Sequence, residues 1–437
     1  MSAAPPTARD VALQVVRDVF GEQHRGAREA LDYRLRRSEL DTRDRAFATE
    51  LAYGAIKMRR FLDFSLEPYV GSRDKLPQAI AEILRLGAYQ LRGMNGVAPH
   101  AAVSESVGLA RKYGHKGTAG LVNAVLRRVA EDPPRDGADL ATRASLPTWV
   151  VEHWRKRFGD EQLAAILDGV NAPAPVGLCI DERRVSRDEA LAALHDAGCE
   201  AAASVFARDE IVLDPASASG QVDTLGAQRW HLHAEAAAFA VDILDPQPGM
   251  RVADLCCGRG NKTLQIASRT RDEGSLLAVD ADEKKTDQAA KRAEAAEIRS
   301  VAFVTADVAE MQGLPDADAV LLDAPCSGLG ILGRQPEARW RKRPDDPARL
   351  APLQRKLLAS AARCVKPGGV LVYAVCSTDA REAEEIVDAF LAETPAFARD
   401  AVPERYGAFL TGDGDVLVPP GIGGRDGFYV ARVRRSA

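Results

Sequence analysis

The chain has 437 residues, 46% of them hydrophobic and 28% charged, with a net charge of −5. At roughly 100–200 residues per domain this length predicts two to four domains of ordinary globular composition. No apolar run approaches the about 18 residues of a membrane-spanning helix. Met1-Ser-Ala-Ala-Pro-Pro also lacks the basic segment and apolar run of an export signal, so a cytoplasmic location is expected.

The seven cysteines, at 179, 199, 256, 257, 326, 364 and 376, are odd in number and form no CxxC pair. Neither a disulfide framework nor a cysteine-rich zinc site is expected. The charge is uneven. Residues 1–130 carry 21 Lys+Arg against 14 Asp+Glu, and the remainder carry 37 against 49. A basic N-terminal region reads either as a phosphate footprint for RNA or as a solvated helical surface.

Residues 7–132 read as helical. Val11, Val15, Val16, Val19 and Phe20 recur at helical spacing, as do Leu51, Ala55, Met58 and Leu62, and Leu121, Val125, Leu126 and Val129. Glu131-Asp-Pro-Pro-Arg-Asp-Gly137 has the composition of a linker. Trp149–Phe158 and Glu161–Val170 then read as helices, Val176–Ile180 and Glu210–Leu213 as strands, and Arg187–Ala197 as a helix. Ser186 and Glu189 stand at the capping-box positions of that last helix. This mixture predicts a small α+β insert.

From about residue 236 strands and helices alternate. Strands are expected at Arg251–Leu255, Ser275–Val279, Val301–Val304, Ala319–Leu322 and Val370–Val375, and helices at Glu283–Ala296, Ala351–Cys364 and Arg381–Glu393. The alternation predicts a doubly wound parallel α/β sheet, whose ligands bind beyond the carboxyl ends of the strands.

The first of those ends is Asp254-Leu-Cys256-Cys257-Gly258-Arg259-Gly260-Asn261-Lys262-Thr263. A Walker loop needs Gly where Asn261 stands, and a dinucleotide loop needs a third Gly where Thr263 stands. What remains is Gly-x-Gly with Asp280, an acid suited to a ribose hydroxyl, and Asp307 after the third strand. An adenosine-type cofactor is expected. Helix capping is the alternative role for these strand-end aspartates.

The fourth strand ends in Leu322-Asp323-Ala-Pro325-Cys326-Ser-Gly328 and the fifth in Val375-Cys376-Ser377-Thr378. Both cysteines thus fall in polar turns over the expected ligand crevice. Thiol chemistry suits one methyl transfer in particular. Carbon 5 of cytosine is too weak a nucleophile alone, but a thiolate added at carbon 6 makes it enamine-like. A free thiol is only a few per cent ionised near neutral pH. Asp323, if protonated, would hydrogen-bond ring nitrogen N3 and draw electrons from the ring. Trp340 is the best candidate for a stacking platform under a base, with packing on a helix face as the alternative. His231 and His233, two apart, would not share a helix face, and no metal site is expected.

With these motifs, Gln335-Pro-Glu337 before Arg339-Trp340, Pro367-Gly-Gly, and the terminal Gly424-Arg-Asp-Gly-Phe-Tyr-Val-Ala-Arg, the chain resembles the bacterial small-subunit ribosomal RNA cytosine-5 methyltransferases of the Sun (RsmB) type. The resemblance covers nearly the whole chain. It implies an all-α NusB-like RNA-binding domain at 7–135, a small α+β RNA-binding insert at 145–235, and a Rossmann-like S-adenosylmethionine-dependent methyltransferase domain at 236–437.

By the same resemblance Cys376 is the nucleophile and Cys326 assists release of methylated RNA. Cys256, Cys257, Gly258, Arg259, Gly260, Asn261, Lys262, Asp280, Asp307 and Asp323 line the S-adenosylmethionine pocket. The family usually has Cys-Ala-Ala-Pro-Gly-Gly-Lys-Thr in that loop and a Gln-Asp pair where His231-Leu-His-Ala-Glu235 stands; His231 and His233 read as substitutions. Two other functions are compatible with parts of the sequence: a non-catalytic RNA-binding or ribosome-assembly factor, or the same chemistry on tRNA. An NAD-type oxidoreductase leaves Cys326 and Cys376 unexplained.

Overall fold

The computed structural model describes residues 6–71, 76–215, 217, 225–226, 229–311, 313 and 316–437. It divides into two compact units, one of residues 1–159 with 335–342, the other of residues 160–334 with 343–437. Among the described residues no helix is long and apolar enough to cross a membrane.

The first unit is helical: α1 (Ala8–Phe20), α2 (Ala27–Leu35), α3 (Thr42–Lys57), α4 (Arg59–Leu66), α5 (Gln78–Arg92), α6 (Pro99–Tyr113), α7 (Lys116–Glu131) and α8 (Leu140–Arg143). Thr7 and Asp10 form a capping box that starts α1, and the Asp41 side chain caps α3. The periodic residues Val11, Val15, Val19, Leu51, Ala55, Val125 and Leu126 share one buried core.

The stretch with linker composition stays on this unit. Tyr69 OH donates to Asp132 Oδ2 at 2.7 Å, and Arg60 Nη1 donates to the carbonyl of Leu146 at 2.8 Å. The chain next runs through α9 (Thr148–Gly169), which is two helices parted at Gly159, whose φ is 79°.

Segment 335–342 also belongs to the helical unit. Glu337 Oε1 accepts from the backbone N–H of Ala27 at 3.0 Å, and Trp340 Nε1 donates to the carbonyl of Ile56 at 2.7 Å. Trp340 packs against the helical core. The stacking role is therefore set aside: its ring is a wedge and its N–H is already satisfied. Arg339 is fully buried beside the carbonyls of Ala144 and Ser145, and burial pushes its guanidinium pKa down to about 9.

The second unit opens with a four-stranded antiparallel sheet in the order β2-β3-β1-β4, from β1 (Val176–Ile180), β2 (Ala201–Ala203), β3 (Glu210–Leu213) and β4 (Trp230–His233). The helix α10 (Arg187–Asp196) has the expected Ser186–Glu189 capping box. The strand β4 is a correction. On a strand, alternate residues share a face, so His231 and His233 are neighbours, with ring centroids 5.7 Å apart.

The larger sheet has β5 (Arg251–Leu255), β6 (Ser275–Asp280), β7 (Val301–Thr305), β8 (Ala317–Asp323) and β9 (Val365–Val375) in parallel, in the order β9-β8-β5-β6-β7. The remaining strands, β10 (Phe397–Arg399), β11 (Val416–Val418) and β12 (Phe428–Arg435), are antiparallel additions. β12 pairs with β9, and β10 and β11 pair with β12.

Side chains alternate between the two faces. Ala319, Leu321, Val372 and Ala374 join a core with α11 (Glu235–Leu244) and α12 (Asn261–Arg269), on the side where α13 (Glu283–Ala295) also packs. Val320, Leu322, Leu371 and Tyr373 join the other core with α15 (Asp346–Arg363) and α16 (Glu384–Glu393). The short α14 (Ala338–Arg341) lies within segment 335–342. Both faces are covered, as a doubly wound sheet requires.

Arg269 of α12 ties the insert to this sandwich. It donates to Asp209 at 2.6 and 2.7 Å and to Asp242 of α11 at 2.8 Å, and all three side chains are buried. Replacing only the cation leaves the buried Asp209 carboxylate without its ionic partner, while Asp242 keeps Arg405 and Tyr406. Arg269→Met is expected to lose about 3–5 kcal/mol, read from the urea midpoint and slope of this unit's unfolding. A loss below about 1 kcal/mol, the level of an exposed pair, contradicts this account of the network.

Candidate functional site

The site lies at the carboxyl ends of β5, β6, β8 and β9. After β5 the backbone takes left-handed conformations at Cys256 (φ 67°), Gly258 (φ 57°) and Gly260 (φ 80°). Gly260 is required twice over: besides its φ, an added Cβ would lie 2.9 Å from Ala289 Cβ on α13. Asp280, at the end of β6, braces the loop. Its Oδ2 accepts from the N–H of Gly258 and its Oδ1 from that of Asp282, both at 2.9 Å. Each oxygen keeps a second lone pair for a ligand hydroxyl.

Asp254 is wholly buried. Its Oδ2 accepts from Thr263 Oγ1 at 2.6 Å, its Oδ1 has no partner among the described residues, and burial pushes its pKa up to about 6. An orphaned carboxylate oxygen below a glycine loop, with an acid at the next strand end, fits a bound adenosine-type group. Burial raises the thiol pKa of Cys256 and Cys257, so these two cysteines line the loop as neutral side chains. Asn261, where the family has Gly, is held by Arg292, which donates to Asn261 Oδ1 at 2.7 Å and to the carbonyl of Arg259 at 2.6 Å.

Lys262, in the first turn of α12, donates Nζ–H to Asp323 Oδ2 at 2.6 Å. Burial opposes the ammonium charge, but Asp323 outweighs it and the lysine pKa is raised. The contact is a charge-assisted hydrogen bond that occupies one oxygen of Asp323. Asp307 follows β7. It is exposed, and its Oδ1 accepts from the N–H of Ala309 in its own turn.

The two thiols meet. Cys326 follows β8 and Cys376 follows β9, and their Sγ atoms are 3.3 Å apart, both half-buried. The hydrogen bond with Cys376, reinforced by burial, holds the Cys326 thiol well above its ordinary pKa.

Sequence reading missed the residue that fixes both loops. Glu382 is fully buried and accepts from the N–H of Ser327 at 2.8 Å, from Ser327 Oγ, from Ser377 Oγ at 2.5 Å and from Gln354 Nε2 at 3.1 Å. The available signal was a serine directly after each cysteine.

The terminal Gly-Arg-Asp-Gly motif completes the frame. The N–H of Gly427 donates to the carbonyl of Gly330 at 2.8 Å, and the N–H of Gly330 donates to that of Cys376 at 3.0 Å. A Cβ on Gly330 would sit 1.9 Å from the Gly427 carbonyl oxygen.

Three family profiles match the sequence: NusB over residues 6–131, the RsmF/B-like ferredoxin-like domain over 146–218, and the 16S rRNA methyltransferase RsmB/F over 241–434. The ribosomal RNA small subunit methyltransferase B of Thermus thermophilus is 37% identical across all of this chain and 99% of its own length. The probable enzyme of that name in Bacillus subtilis is 30% identical over 98% of this chain and 99% of its own. Among solved structures, that of PH0851 superposes with a TM-score of 0.81 at 23% identity, over 99% of this chain and 100% of that one.

Glu382→Ala strips the acceptor from two buried serines. It is expected to cost at least about 1–3 kcal/mol for the donors left unpaired, measured by urea denaturation. Cys326 and Cys376 should also become more reactive toward an alkylating reagent in the folded state. Unchanged stability with unchanged thiol reactivity contradicts the bracing role.

Proposed function

Since the chain belongs to the RsmB/F family of 16S rRNA methyltransferases, we propose that it methylates carbon 5 of a cytosine in small-subunit ribosomal RNA with Cys376 as covalent nucleophile. It is an S-adenosylmethionine-dependent RNA methyltransferase. The observation that carries the reading is the thiol pair, 3.3 Å apart beside the Asp323–Lys262 ion pair and the braced loop after β5.

S-adenosylmethionine, when bound, supplies an electrophilic methyl group. The loop Cys256–Lys262, Asp280 and Asp307 would hold it. The target base must first leave its stack, at a cost of a few kcal/mol in a duplex. Asp323, as a carboxylate, accepts from the exocyclic amine of the cytosine. The Lys262 ammonium, beside Asp323, would donate N–H to ring nitrogen N3 and draw electrons from the ring.

Cys376 gives its proton to solvent and its sulfur bonds to carbon 6. The electrons of the 5,6 double bond are then available at carbon 5. After methylation the carbon 5 proton passes to solvent, its bonding electrons reform the double bond and the Cys376 thiolate leaves. Cys326 donates S–H toward the Cys376 sulfur, which stabilises the thiolate both before addition and as it departs. That second role is release of the methylated RNA.

We assign residues 7–135 and 145–235 to RNA binding and 236–437 to catalysis. The surplus of Lys+Arg over Asp+Glu in residues 1–130 suits contact with phosphates. The enzyme works in the cytoplasm on ribosomal RNA.

With small-subunit RNA and labelled cofactor, Cys376→Ala is expected to form 5-methylcytosine at least about 10³-fold more slowly than the native chain, by nuclease digestion and mass spectrometry. It should retain cofactor binding. Cys326→Ala is expected to accumulate an RNA–protein adduct that survives denaturing electrophoresis, and the adduct should vanish when Cys376 is also replaced. Undiminished product from Cys376→Ala sinks the nucleophile assignment. The absence of any adduct from Cys326→Ala sinks the release role.

A further inference from the structure

The small antiparallel sheet gathers soft donor atoms on one face, away from the thiol pair. In its ladder Cys179 of β1 lies opposite His231 of β4 on one side and Glu210 of β3 on the other. His233, two residues along β4, projects to the same face. The Cys179 sulfur and one ring nitrogen of each histidine lie within 4.8 Å of one another. We propose that Cys179, His231 and His233 bind one divalent metal ion of the zinc class.

Two further observations point to a ligand. The first is the outer partner of each imidazole. His233 Nδ1 lies 2.9 Å from Glu210 Oε1 and His231 Nε2 lies 3.1 Å from the carbonyl oxygen of Asn261. A backbone carbonyl only accepts, so the His231 ring donates N–H to Asn261 and keeps its other nitrogen as a lone pair. Burial raises the Glu210 pKa; a cation on His233 Nε2 would favour the Glu210 carboxylate accepting from Nδ1–H. Metal-binding histidines are oriented in this way, by a carboxylate or a carbonyl behind the ring.

The second observation is the other nitrogen of His233. Among the described residues His233 Nε2 is buried with no hydrogen-bond partner, on a residue only 5% exposed. Packing gives no account of a polar atom in that state, and a metal ion does. One thiolate and two imidazoles make a set that zinc accepts in tetrahedral geometry, with a fourth position for solvent. On binding, the Cys179 S–H bond is lost, sulfur bonds the metal, and the proton passes to solvent.

The ion would clip β1 to β4. Through the bond from His231 to Asn261 it would also hold the first residue of α12, directly after the loop that braces against Asp280. The inference is independent of the methyl-transfer reading, since none of its three ligands takes part in that chemistry.

The test uses the full chain without an affinity tag and with Cys326→Ser and Cys376→Ser, so that the other close thiol pair cannot contribute. Cobalt(II) titrated into this host is expected to give a sulfur-to-cobalt charge-transfer band and visible bands of four-coordinate intensity. They should saturate at one equivalent and be bleached by one equivalent of zinc. Adding Cys179→Ser should abolish the charge-transfer band.

His231→Gln and His233→Gln, whose amides still donate to Asn261 and Glu210, should each weaken cobalt binding at least about tenfold. Zinc should raise the thermal midpoint of the host and not of either glutamine variant. A host that gives no sulfur band overturns the proposal, as does a band that persists after Cys179→Ser or affinity unchanged in both histidine variants.

Discussion

The site depends on one topological constraint: β8 and β9 are adjacent and parallel. Asp323 stands opposite Ala374 in their ladder, so the chain leaves both strands at the same edge and the same height. Cys326 and Cys376, 50 residues apart, are thereby brought to 3.3 Å. A parallel sheet places such loops side by side without either crossing the other. Adjacency alone is loose, however, because loops beyond strand ends are free to splay. Glu382 removes that freedom by accepting from the serine after each cysteine, and the backbone bonds from Gly427 through Gly330 to the Cys376 carbonyl add a second brace.

Polar groups elsewhere in the core serve to join pieces rather than to add net stability. Asp209 precedes the insert strand β3, Arg269 ends α12 and Asp242 lies on α11. A buried triad of this kind pays a large desolvation cost, so its use is in specifying one docking geometry among several that hydrocarbon would tolerate. The same logic holds for the aromatic cluster of Phe206, Phe239, Tyr406 and Phe409, where the Tyr406 hydroxyl donates to Asp242 at 2.9 Å and sets the ring orientation. Precise placement of the loop after β5 requires that α12 be held at both ends, by Arg269 at one and by the His231 contact to Asn261 at the other.

The loop after Cys326 carries a different constraint. Within about ten residues it leaves the thiol and contributes segment 335–342 to the helical unit. Glu337, Arg339 and Trp340 spend their polar groups on backbone of that unit. A buried guanidinium and an indole whose N–H is already taken are poor choices for recognising a mobile base, but they make a firm anchor. Sequence motifs near a reactive residue thus divide into those that perform chemistry and those that fasten the loop performing it.

The sequence by itself determined the parallel α/β domain, the helical N-terminal region and the strand-end positions of Cys326, Cys376, Asp323 and Asp280. Hydrophobic periodicity and chain order encode all of these locally. Only the tertiary structure decided the rest. The separation of the two sulfurs, the Lys262–Asp323 pair and the Glu382 node join residues 50 or more positions apart or invisible in any motif. His231 and His233 share a face because residues 230–233 form a strand, and face-sharing at a spacing of two depends wholly on strand against helix. For Trp340 the packing role is the one found: sequence proximity to a reactive loop does not decide which core a side chain joins.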